Sequence, residues 1–112
     1  MDVLKVSADV KPNNLAWAIR DRLERDTFTE LHAIGAGATN QAVKAIAILD
    51  EYYRNTDHVI SCVPVFDSIS ITGREVTMIK ITVYLDRLLS LARYNNKSYN
   101  RRVWKRNFKQ KN

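Results

Sequence analysis

The 112-residue chain contains one cysteine, two prolines and three glycines. A lone thiol, Cys62, can close no internal disulfide, so the fold must rest on a packed core. A reducing, cytoplasmic home is the expectation that goes with it. So little Gly and Pro excludes collagen-like and low-complexity chains. No stretch approaches the roughly 20 apolar residues of a membrane span. Met1-Asp2-Val3-Leu4-Lys5 shows no basic stretch leading into a long apolar run, and no signal peptide is expected. Groups for chemistry are also scarce. His32 and His58 stand at strand positions without Cys, Asp or Glu at a metal-motif spacing. Cys62 lies in an apolar run and reads as a small core residue. The acids are scattered, so neither an enzyme, a metal nor a cofactor is expected.

Acidic residues are missing altogether from 87–112, which holds nine of the 18 Lys and Arg. The other nine share residues 1–86 with all 12 Asp and Glu, a net charge of −3. The overall +6 therefore hides a mildly acidic body and a strongly basic arm. Such asymmetry suits an anionic partner.

What is present suffices for one core, with 46% of residues hydrophobic. Residues 2–8 alternate as a strand, with Leu4, Val6 and Ala8 on one side. Lys11-Pro12-Asn13-Asn14 then starts a helix that either Asn can cap, running to about Arg25. Leu15, Ala18, Ile19 and Leu23 form its apolar stripe. A strand over 29–35 ends in the turn Gly35-Ala36-Gly37-Ala38. Thr39 or Asn40 is placed to cap a second helix reaching about Tyr53. That helix is apolar almost all round, apart from Asn40, Lys44 and Glu51, which implies burial on a second side by another subunit. A third strand covers 58–66, and Pro64 marks it as an edge or bulged strand. The alternation resumes at Ser68–Ile71, and Thr72-Gly73-Arg74 is a hairpin tip. In the last strand, 75–85, Ile79, Ile81, Val83 and Leu85 oppose Met78, Lys80, Thr82 and Tyr84. The order β-α-β-α-β-β with right-handed crossovers predicts a two-layer α/β sandwich with both helices on one sheet face. Asp86 is a candidate cap for a short third helix, and 99–109 reads as a further helical turn or two.

Four features are candidate sites. The GxGxxN turn at 35–40 opens a helix and so favours anions, but lacks the ending of a phosphate loop. A tight turn or a close backbone approach explains its glycines at least as well. Trp17 sits about 200° round its helix from Leu15, off the apolar stripe, and is either a partly covered surface aromatic or a partner contact. The tail interleaves Arg93, Lys97, Arg101, Arg102, Lys105, Arg106 and Lys109 with Tyr94, Tyr99, Trp104 and Phe108. Cations neutralise phosphates and aromatics stack on bases, so DNA or RNA is the favoured partner. A solvated tail without a fixed role and an anionic membrane surface are the other readings.

Val3-Leu4-Lys5-Val6-Ser7-Ala8, Pro12-Asn13, Ala33-Ile34-Gly35-Ala36-Gly37-Ala38 and Asn40-Gln41-Ala42-Val43-Lys44-Ala45 resemble the stage V sporulation protein S family. Cys62-Val63-Pro64 and Ile79-Lys80 fit its strand pattern, and the resemblance spans 1–86, leaving 87–112 as a separate basic, aromatic tail. That family is similar in fold to Alba-type nucleic-acid-binding proteins. The resemblance implies a four-stranded mixed sheet, two helices on one face, and homodimers or higher homo-oligomers. It also implies a nucleic-acid-facing edge carrying Lys11, Asn40, Lys44 and Arg74. Gly35 and Gly37 stand where Alba proteins often carry Arg, and Val10 where a second Lys is common. The expectation is a non-enzymatic nucleic-acid-binding or regulatory protein whose tail supplies most of the grip. A protein-interaction scaffold using Trp17, the apolar second helix and the edge strand with Pro64 is the alternative.

Overall fold

The computed structural model describes residues 3–87. They form β1 (Val3–Val6), α1 (Pro12–Asp26), β2 (Phe28–Ala33), α2 (Ala36–Tyr53), β3 (His58–Ile71) and β4 (Arg74–Arg87). The four strands make one mixed sheet in the order β1-β2-β4-β3. β1 runs parallel to β2, and β4 runs antiparallel to both β2 and β3. Strand alternation decides which side chains meet the helices. Val6, Leu31, Ala33, Ile81 and Val83 join Leu15, Ala16, Ile19 and Leu23 of α1 and Ala38, Ala42, Ala45 and Leu49 of α2 in one core. Both helices therefore cover one sheet face, as the sequence predicts. Fully burying a Leu such as Leu49 contributes about 1.5–3 kcal/mol.

Local chemistry sets the helix ends differently from the sequence reading. Neither Asn13 nor Asn14 caps α1. Lys11 stands at the cap with extended backbone, φ −76° and ψ 127°, and no side-chain hydrogen bond. Pro12 opens the helix, because its fixed φ suits the first turn and its missing N–H costs nothing there. It also pushes the preceding residue out of the helical region. At the far end Thr27 takes a left-handed φ of 69° and donates its N–H to the Leu23 carbonyl. Its own carbonyl accepts from Leu85 N–H at 2.8 Å, tying α1 to β4.

Likewise α2 begins earlier than the expected Thr39 or Asn40 cap. Gly35 is its cap residue, with φ 89°, and Thr39 Oγ1 donates back to the Gly35 carbonyl at 2.9 Å. That φ suits glycine, so the turn from β2 into α2 needs Gly35. Gly37 serves a second purpose: a Cβ there would sit 3.0 Å from the Ala8 Cβ, where the loop after β1 passes close to α2. Gln41 Nε2 donates to the Val10 carbonyl at 2.8 Å in the same contact.

β1 stops at Val6, not Ala8, because Val10 N–H reaches the Ser7 carbonyl and Asp9 N–H the Ser7 hydroxyl, closing a turn. Ala16, rather than Ala18, completes the buried stripe of α1. β3 is an edge strand whose pairing with β4 continues through Pro64 without a skipped residue, so it carries no bulge. The hairpin turns at Thr72 and Gly73, both with positive φ, as a two-residue connection requires. Asp86 opposes Val59 inside β4 and so does not cap a helix there. The expected helical segments beyond it lie outside the described residues. Cys62 is exposed rather than part of the core, because neither described helix covers its stretch of β3.

Candidate functional site

The parallel pairing of β1 with β2 sends both chains out of the sheet at the same end. Lys11, the start of α1 and the start of α2 gather there. Lys11, Pro12, Asn13 and Asn14 form one wall of an open cleft, and Lys44, Ala47 and Ile48 form the other. Among the described residues no carboxylate lines it. Two of the four expected body contacts, Lys11 and Lys44, are thus brought together. Asn40 is exposed one turn before Lys44 on α2. Arg74 is not part of this cleft. It lies at the hairpin tip, five residues beyond Ile79, the last β4 residue paired with β2, or about 17 Å of strand. Arg93, Lys97, Arg101, Arg102, Trp104, Lys105, Arg106 and Lys109 lie outside the described residues.

Above the cleft, α1 and α2 hold an aromatic cluster. Trp17 is 37% exposed and meets Tyr52 edge-on, with ring centroids 5.4 Å apart. The Arg20 guanidinium sits 5.2 Å from the Trp17 ring centroid and 5.7 Å from that of Tyr52. Asp21 binds the same guanidinium at 3.3 Å and, with Tyr52, raises its pKa above the ordinary value. Tyr53 packs against Tyr52 at 4.9 Å and donates its hydroxyl to Glu24 at 2.9 Å. Burial first, and that hydrogen bond second, hold the Tyr53 phenol well above its ordinary pKa. Sequence reasoning missed Arg20 and Tyr52. The Trp17–Arg20 spacing of one helical turn is a usable signal, but Tyr52 needs the helix pairing.

A third region is apolar. Val43 of α2 is exposed, at 55%. On β3 the helix-side residues Cys62, Pro64 and Phe66 are exposed as well, Phe66 to 82%. Partial burial pushes the Cys62 thiol above its ordinary pKa. The histidines are engaged locally: His32 Nε2 bonds the Glu30 carboxylate, and His58 Nδ1 lies 3.1 Å from Asp57. Among the described residues no group of three or more His, Cys, Asp or Glu is placed to hold a metal. No helix among them is long and apolar enough to cross a membrane.

A two-helix, four-stranded mixed sandwich with a glycine turn opening its second helix defines a class of small α/β modules. The model of the family "Stage V sporulation protein S (SpoVS)" matches residues 2–86. The chain belongs to that family, and the match includes every described element up to the last residue but one of β4.

Proposed function

We propose that this member of a sporulation-related family is a non-enzymatic, cytoplasmic nucleic-acid-binding or regulatory protein that works as a homodimer. The observation that carries the reading is the charge division: nine Lys and Arg and no acid in 87–112, against a net −3 in 1–86. The tail cations neutralise phosphates and release counterions, which gives affinity without sequence readout. Lys11 and Lys44 add a basic cleft on the body, with Asn40 beside it and Arg74 at the hairpin tip. The exposed margin of Val43, Cys62, Pro64 and Phe66 is the surface through which two copies meet.

The test is a titration of labelled DNA and RNA across salt concentrations, with the full chain and with a chain ending at Arg87. The shortened chain loses eight of the nine tail cations. Its affinity at low salt falls and its salt dependence flattens markedly, since each phosphate contact contributes a slope of about 0.9 on duplex DNA. Unchanged affinity and slope defeat the role of the tail. No binding by the full chain at low salt defeats the reading.

The exposed α2–β3 margin also supports a second reading, an oligomeric scaffold without nucleic-acid binding. Light scattering separates the two. Oligomers that survive nuclease, in a chain that binds no nucleic acid, favour the scaffold.

A further inference from the structure

The cleft and the aromatic cluster follow one another along the seam between α1 and α2, and together they outline a groove. Lys44, Ile48 and Tyr52 recur every four residues, so they form one line along α2, about 12 Å from first to last. Asn13 and Trp17 have the same spacing on α1. Asn13 faces Lys44 and Ile48 across the cleft, and Trp17 meets Tyr52 beyond it. One end of the groove presents two cations and, among the described residues, no lining carboxylate. The other presents two aromatic rings, exposed to 37% and 47%.

We infer that this groove takes an unpaired stretch of nucleic acid, with phosphate at Lys11 and Lys44 and a base stacked on Trp17 and Tyr52. The inference rests on the proposed nucleic-acid binding and names the form of nucleic acid that the body selects. Chemistry favours this occupant. A phosphate is the complement of two lysines in a cleft without carboxylates, and an apolar protein surface would strip them of water without compensation. A base is the complement of partly exposed aromatic rings, since every base has a face to stack. Arg20 touches both rings and is itself held by Asp21, so the rings are oriented before the ligand arrives. A duplex offers its phosphates but keeps its bases stacked inside, so it engages the lysines alone.

The experiment uses the full chain with Trp104→Phe, which leaves Trp17 as the reporting fluorophore. The probes are oligothymidylate of about 15 nucleotides, near the upper site size of single-strand grooves, and a duplex of equal length. Oligothymidylate quenches Trp17 and the duplex does not. Trp17→Ala weakens oligothymidylate about tenfold, the scale of one lost stacking contact, and leaves the salt slope and the duplex affinity unchanged. Trp17→Phe keeps most of the affinity, and Tyr52→Ala repeats the loss at a second site. Lys44→Ala instead lowers the single-strand salt slope by about 0.7.

Binding of oligothymidylate with Trp17 unquenched overturns this inference and leaves the proposed function standing. So does an equal loss on single strand and duplex. A Trp17→Ala chain that binds normally but no longer self-associates assigns the cluster to a protein contact instead. A full chain that binds neither probe overturns both readings.

Discussion

Ile81 and Val83 on β4 are 2% and 0% exposed, while Pro64 and Cys62, their direct partners on β3, are exposed. All four project toward the helix layer. The difference is cover. α1 and α2 lie over β1, β2 and β4, and the layer ends before it reaches most of β3. Only Ile60, near the start of β3, still packs against the core. The sequence makes β3 as apolar on that side as its neighbour, which is how a strand reads when something is meant to lie over it.

Core truncation has the largest expected effect. Leu49→Ala, on the covered side, lowers stability by about 2–5 kcal/mol, the range for emptying a buried Leu site. Phe66→Ala, at 82% exposure, changes the stability of a dilute monomer by no more than about 0.5 kcal/mol. Urea unfolding of both variants at low concentration reads the contrast. Comparable losses would mean that the chain covers Phe66 by itself. The same Phe66→Ala chain, sedimented at high concentration, loses self-association if the margin is the dimer surface.

A smaller effect sharpens the covered side. Tyr53→Phe removes the hydroxyl bond to Glu24 and costs about 1 kcal/mol near neutral pH. The Tyr53 phenol has a raised pKa in the folded chain, so the fold resists its ionisation. Stability from this group is complete below the ordinary phenol pKa of 10.0 and declines as pH rises above it, where the unfolded chain ionises first. The Phe variant loses that alkaline decline, and melts at pH 9 and pH 11 would show it. The smallest effect falls on the open side. Cys62→Ser leaves stability within about 0.5 kcal/mol, and Cys62 itself reacts with a thiol reagent without unfolding. Its raised pKa makes that rate keep climbing above pH 9.0.

Much of the architecture is legible because it follows from periodicity. The strand order in sequence, the inward Ile79-Ile81-Val83-Leu85 row, the hairpin at Thr72-Gly73 and the edge position of Pro64 all come from alternation and turn chemistry. Helix starts were less legible. Asn13, Asn14, Thr39 and Asn40 are good caps in isolation, yet Pro12 and Gly35 set the backbone before any of them. The candidate site was half legible. Lys11 and Lys44 stood out as cations, and Trp17 as an aromatic off the stripe, but nothing in their spacing says that they share a groove.

By itself the sequence determined the kind of layers, their order, the acidic body and the basic arm, since these depend on residues near one another in the chain. Only the tertiary structure decided what those layers bring together. Parallel strands β1 and β2 send Lys11 and the start of α2 out of the same sheet end, and the two parallel helices set Trp17 against Tyr52. It also decided that Cys62 stays exposed on the helix side of β3. Burial depends on whether another element lies overhead, and none of the described elements does.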